Sequence, residues 1–197
     1  MRSLALFDFD GTLTTRDTFL DFHRFFWGKR CLLAFAGAAA KGGLSLRFDR
    51  GFLKEEFLTL LWKGVPQEEY LTGAFRYAES RVEGFLMPLA LSVFLRHIER
   101  GHDVYVVTAS MKEWIEPWAS KYGVPVVGTE LEVADGILTG RLNGANCRGP
   151  EKTRRITAIV DLKGYDKIYA YGNSSGDREM LLLADEKAYN WDHVPVF

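Results

Sequence analysis

A chain of 197 residues, 47% hydrophobic and 26% charged, has room for one sizeable core, or for a core with an inserted module. Its formal charge of −1 gives no basic stripe and speaks against a nucleic-acid partner, and its two cysteines, Cys31 and Cys147, are too few and too far apart for a disulfide framework. Reduced thiols, together with the charges of Asp8 and Asp10 inside the first apolar stretch where a signal peptide would have none, lead to the expectation of a cytoplasmic protein.

Residues 4–9 read as a short buried strand, apolar and ended by Asp-Gly. From about residue 15 to 81 the spacing turns helical: Phe19, Phe22 and Phe26, then Phe57, Leu60 and Leu61, share one face each, with Gly42-Gly43 and Gly64-Val65-Pro66 as breaks. The longest uncharged run, Cys31 to Ala40, is only half of the roughly 20 residues that span a bilayer, so no transmembrane segment is expected. A buried helix accounts for it better than a membrane-surface contact.

Pro88 opens a helix with an apolar stripe of Leu91, Phe94, Leu95 and Ile98, and Gly101 closes it. Residues 103–107 predict a strand. Ser110-Met111-Lys112-Glu113 has the form of a capping box, which predicts a helix from there to about Tyr122. Residues 126–133 and 137–142, joined by Ala134-Asp135-Gly136, predict a hairpin. A helix over 151–162, a strand over 167–171, a polar loop over 172–177, a helix over 178–184 and a last strand over 187–191 complete the chain.

Strands alternating with helices predict an α/β fold with a Rossmann-like parallel sheet, which binds ligands at the carboxyl ends of its strands. Residues 1–14 and 85–197 are expected to form this core and residues 15–84 an inserted α-helical domain. Asp8, Thr108 and Asn173 all fall at such strand ends.

The first strand is followed by Asp8-Phe9-Asp10-Gly11-Thr12-Leu13-Thr14. An extended backbone sends residues i and i+2 to the same side, so the two carboxylates emerge together, and Gly11 turns the chain while leaving amides free to meet an anion. Phosphoryl transfer needs a nucleophile, neutralisation of the spreading charge and a proton for the leaving alcohol. With this string the chain resembles the haloacid dehalogenase (HAD) superfamily, subfamily IB, in its phosphoserine-phosphatase-like branch. Thr108, then Lys152 in Gly149-Pro150-Glu151-Lys152, then the loop ending at Asp177 follow in the family's order, and the hairpin around Asp135-Gly136 is also similar.

The resemblance implies a phosphatase in which Asp8 forms an aspartyl-phosphate while Asp10 protonates the leaving oxygen and later activates water. It implies phosphate binding by Gly11, Thr12, Thr108, Ala109 and Lys152. It also implies Mg²⁺ held by Asp8, the backbone carbonyl of Asp10, Asn173 and Asp177, with Asn173 standing where the family usually has Asp. The inserted helices would be a C1-type cap that closes over the site and contacts the leaving group.

Asp17 aligns with an acidic residue that reads the substrate amino group in phosphoserine phosphatases, although Thr14-x-x-Asp17 is equally a capping box. Arg47 or Arg50 could clamp a carboxylate, or simply lie at the surface. The expected substrate is a small phosphorylated metabolite such as phosphoserine. Phe25, Phe26 and Trp27 leave open a lipid-headgroup phosphatase similar to phosphatidylglycerophosphatases, and Asn173 leaves open a weakly active phosphate-binding regulatory module. The four histidines show no paired ligand spacing, and nothing in the sequence fixes an oligomeric state.

Overall fold

The computed structural model describes residues 2–45 and 50–194. The first strand, β1 (Ser3–Phe7), is followed by four helices, α1 (Thr18–Trp27), α2 (Arg30–Ser45), α3 (Arg50–Trp62) and α4 (Gln67–Arg81). Helix α5 (Pro88–Glu99) leads into β2 (Asp103–Met111), the short α6 (Glu116–Ser120) and β3 (Val126–Thr129). A hairpin of β4 (Leu131–Ala134) and β5 (Ile137–Leu142) precedes α7 (Pro150–Ile159), β6 (Lys167–Gly172), α8 (Arg178–Leu181) and β7 (Glu186–Tyr189).

Five of these strands form one parallel sheet in the order β3-β2-β1-β6-β7. Strand β1 is central, and all five of its residues are buried. Alternation along it feeds two cores: Leu4 and Leu6 pack with Ile156, Ala170 and Met180, while Ala5 and Phe7 join Phe94, Val106 and Tyr171. Both faces of the sheet are therefore covered, as a parallel sheet requires. The chain winds from β1 out to β3 and then returns to β6 on the other side of β1. That reversal opens a crevice at the carboxyl end of β1, into which Asp8 and Asp10 emerge.

The helices between β1 and α5 hold together through aromatic rings. Phe22 is fully buried, stacks on Trp114 at 4.3 Å between centroids and on Trp62 at 5.8 Å, and meets Tyr77 edge-on. Burying one such ring contributes about 1.5–3 kcal/mol. His23 belongs to the same cluster: its Nε2 accepts from the Trp62 indole at 2.8 Å, and burial pushes its pKa down to about 3, so it stays neutral. Phe25, Phe26 and Trp27 are half-buried against this core rather than lining the crevice, Phe26 lying 4.8 Å from Trp62.

The structure corrects several expectations. Gly42-Gly43 does not break the helix; α2 continues through both, since a glycine inside a helix costs only about 1 kcal/mol. Nor is α2 a buried helix: Cys31, Ala34 and Ala38 pack inward, but Leu32, Leu33 and Phe35 face solvent. Ser110 caps no helix. Strand β2 runs on to Met111, a 3-10 turn Lys112–Trp114 follows, and α6 is a five-residue helix, because Pro117 cannot donate into a longer one. Residues 126–129 join the main sheet as β3, so the hairpin is shorter than its turn chemistry suggested. Its turn has Asp135 and Gly136 at φ of 51° and 76°, the left-handed pair of a two-residue hairpin loop.

Candidate active site

Lys152 anchors the crevice. Gly149, at φ of 61°, turns the chain into α7, and Pro150 starts the helix without wasting a donor, which carries Lys152 under the end of β1. Its side chain is fully buried. The ammonium donates to Asp8 Oδ1 at 2.5 Å, Asp177 Oδ1 at 2.6 Å and the Val107 carbonyl at 2.6 Å, so all three protons are used. Asp8 Oδ2 accepts from Thr12 at 2.9 Å, and Asp177 Oδ2 from the Ser174 hydroxyl and from the amides of Ser174 and Asn173.

Two buried carboxylates thus share one ammonium, and the electrostatics follow from that ratio. Burial opposes the charge of Lys152, but Asp8 and Asp177 outweigh it and hold the ammonium above its ordinary value. Burial also opposes the charge of Asp177, yet Lys152 and Ser174 keep that carboxyl below the usual range. For Asp8 burial wins over Lys152, and its carboxyl lies above the usual range. The pocket holds more negative charge than its lysine neutralises.

Asp10 is suspended by another set of donors. Its Oδ1 accepts from the Thr18 amide at 2.7 Å and the Thr18 hydroxyl at 2.6 Å, and its Oδ2 from the Ser110 hydroxyl at 2.5 Å. Burial pushes Asp10 up to about 6, although Ser110 and Thr18 pull it down. Gly11, at φ of 75°, makes the turn between the two acids. A Cβ there would lie 2.0 Å from the Asn173 amide nitrogen, so glycine is required both by the backbone and by the close approach of Asn173.

Asp8, Asp10, Asp17, Ala109, Lys152, Asn173 and Asp177 line a single cavity of about 330 Å³. Thr12 is buried behind Asp8, and Thr108 is fully buried with its Oγ accepting from the Ser110 amide at 3.0 Å; neither lines that cavity. Asp17 caps α1 by accepting from the Leu20 amide at 3.2 Å, so the cap is Asp17 itself and not Thr14. Arg47 and the side chain of Arg50 lie outside the described residues. Among those described, no three His, Cys, Asp or Glu side chains gather as a metal cluster. A wider cleft of about 680 Å³ beside α1 and α4, around Phe25, Glu68 and Arg76, gathers no comparable set of groups.

Sequence reasoning missed five lining residues: Phe19, Lys54, Ser110 in its true role, Asn146 and Arg148. Lys54 reaches from α3 across to the sheet, donating to the Ala109 carbonyl and to Asn146 Oδ1, both at 2.7 Å. Burial lowers its pKa to about 8 against the pull of Asp10 and Asp17. Arg148 donates to Ser175 at 2.9 Å and lies over Gly176. A helical lysine followed by Glu55 and Glu56 gives no sequence signal of burial, but the stretch Asn146-Cys147-Arg148-Gly149 just before the helix of Lys152 could have drawn notice.

With this geometry in view, comparison with known proteins is decisive about ancestry. Residues 5–182 match the model of the haloacid dehalogenase-like hydrolases. The chain belongs to the haloacid dehalogenase-like hydrolase family. A phosphoserine phosphatase of Archaeoglobus fulgidus is 28% identical over 145 residues, covering 70% of this chain and 39% of its own. Protein CicA of Caulobacter vibrioides is 35% identical over 192 residues, covering 94% of this chain and 85% of its own. A Bordetella pertussis Tohama I protein of unknown function superposes with a TM-score of 0.78 at 23% identity, over 96% of this chain and 90% of that one. A substrate-bound phosphoserine phosphatase superposes at 0.66 and 21% identity, over 95% and 85%. At such identities the two structures speak for the fold alone.

Proposed function

We propose that this hydrolase is a phosphatase, that it cleaves a small phosphomonoester through an aspartyl-phosphate, and that its leaving group carries an anionic substituent. The observation that carries the reading is the buried Asp8-Lys152-Asp177 set beside a separately suspended Asp10 in one cavity. An Asp8 carboxylate oxygen attacks phosphorus, the ester P–O bond breaks, and the leaving oxygen takes the Asp10 proton. Water then attacks the acyl phosphate, returns a proton to Asp10 and releases inorganic phosphate, which restores Asp8. Lys152 holds Asp8 in place and offsets phosphate charge.

The donor set suits a hard divalent cation. Asp8, Asn173 and Asp177 line the same cavity and carry hard oxygen donors, and around Lys152 two carboxylates face one ammonium. Asp8, Asn173, Asp177 and the Asp10 carbonyl would hold Mg²⁺, which when bound neutralises charge on the transferring phosphoryl group.

Asp10 must be protonated to serve the leaving group, and its pKa lies at about 6. The phosphorylation step therefore weakens as pH rises through that value. Ser110→Ala removes a donor to the charged form, which raises the pKa of Asp10 further, so the alkaline fall of kcat/KM should move upward by about one pH unit. A shift toward lower pH, or none, removes Ser110 from control of Asp10.

The leaving-group end carries Lys54 and Arg148, and the two partners of the Lys54 ammonium are neutral oxygens. A carboxylate entering there gains a charge-assisted bond in their place. A screen of phosphomonoesters with Mg²⁺ tests this directly. Phosphoserine should outperform phosphoethanolamine, which lacks the carboxylate, and Lys54→Met should raise KM for phosphoserine about tenfold while sparing phosphoethanolamine. Equal effects on both substrates would refute the anionic leaving group.

A further inference from the structure

We propose that the exposed face of α2 docks onto an anionic bilayer surface, beside the mouth of the catalytic cavity. Leu33, Leu32 and Phe35 are 75%, 69% and 61% exposed. Among the described large hydrophobic residues only Leu182 and Ile159 reach that level, and each stands alone in its stretch of chain. At 100° per residue, Phe35, Ala39, Leu32, Ala36, Ala40 and Leu33 cover an unbroken apolar arc of about 160°. The inward side of the same helix is Cys31, Ala34 and Ala38, so its packing against the protein is already satisfied.

Charge selects the occupant. From residue 22 to 48 the sequence holds Arg24, Lys29, Arg30, Lys41 and Arg47 and no Asp or Glu, in a chain whose overall charge is −1. Lys29 and Arg30 are exposed at the start of α2; Lys41, toward its end, pairs with Glu56 of α3 at 2.7 Å. A second copy of the chain docking through a two-fold axis would bring these cations against their own counterparts, which opposes association. Anionic headgroups meet them favourably, while an apolar stripe beside Lys and Arg is the pattern of helices that lie in the headgroup region. No helix among the described residues is long and apolar enough to cross a membrane, so α2 lies on the surface and does not span.

The face is physically continuous with the site. Phe35 packs on Phe57 at 6.3 Å, Phe57 on Phe19 at 5.5 Å, and Phe19 lines the catalytic cavity. A bilayer seated on α2 is thus two ring contacts from the space where a leaving group sits.

Sedimentation of the full chain with vesicles of equal parts phosphatidylcholine and phosphatidylglycerol tests this, against phosphatidylcholine alone. The expected result is partition to the mixed vesicles that weakens with added salt and falls about tenfold for both Leu33→Ser/Phe35→Ser and Lys29→Glu/Arg30→Glu. All variants should still hydrolyse p-nitrophenyl phosphate, which verifies folding. Absence of binding, equal binding to neutral vesicles, or binding that survives both double substitutions overturns the proposal. So does a wild-type dimer in gel filtration that Leu33→Ser/Phe35→Ser dissociates, because the face then belongs to a second copy.

Discussion

Asp8→Asn lowers kcat for p-nitrophenyl phosphate by about 10⁴-fold or more, with the protein folded and its KM little changed. The amide preserves the shape of the carboxyl group and can keep both existing contacts, its oxygen accepting from Lys152 and its NH2 donating to a rotated Thr12 hydroxyl, so the loss falls on nucleophilicity and not on architecture. The variant also removes one of two carboxylates from the single ammonium, which eases the excess negative charge of the pocket. Inorganic phosphate should therefore bind Asp8→Asn at least as well as wild type, measurable by calorimetry in the presence of Mg²⁺. Turnover within tenfold of wild type would mean that another group attacks phosphorus, and the aspartyl-phosphate reading would fall with it.

Lys152→Met has the larger cost to the fold. Two buried carboxylates lose their shared cation while the Val107 carbonyl loses a donor, and breaking a buried pair in this way costs about 3–5 kcal/mol. The deficit should depend on pH. Asp177 is depressed in the folded protein, so its stabilising contribution is present above the unfolded carboxyl value and disappears as pH falls through the folded one. Lys152 is raised, so its contribution is complete below the unfolded amine value and disappears only as pH climbs through the folded one. Between these limits wild type holds the full advantage. In acid, with Asp8 and Asp177 protonated, the variant should recover toward wild-type stability in urea titrations. Lys152→Arg should not restore activity, because a fully buried ammonium with three contacts at 2.5–2.6 Å leaves no space for a planar guanidinium. A deficit that is the same at every pH would place the role of Lys152 in packing and not in charge.

What could be read from the sequence divides along a physical line. The sheet was legible because its strands are short apolar runs ended by turn residues, and Asp8 and Asp10 stand at such an end; Lys152 and Asp177 are reached only through the family resemblance, since a lysine near a helix start reads locally as solvated. Ser110 misled because its capping pattern is local, whereas β2 is extended by pairing with β3 at Met111 and Thr129, a contact that no short window contains. Lys54 was invisible for a related reason: its burial depends on Ala109 and Asn146, 55 and 92 residues away. Gly42-Gly43 shows the converse, a local helix breaker tolerated inside α2. The apolar run from Cys31 to Ala40 looked like a core helix because hydrophobicity records which residues avoid water, not whether a neighbour exists to shield them.

The central position of β1 also divides the labour of motion. A strand paired on both sides and buried on both faces opens to solvent only when the whole domain does, so Asp8, the proposed nucleophile, follows the least mobile stretch of the backbone. The groups at the proposed leaving-group end are mounted differently: Lys54 belongs to a helix, and it donates to the Ala109 carbonyl of β2 and to Asn146 in the loop before α7. The two ends of the proposed reaction are thus mounted on separate parts of the chain. In such an arrangement selection can remodel the helices for new leaving groups without retuning the chemistry.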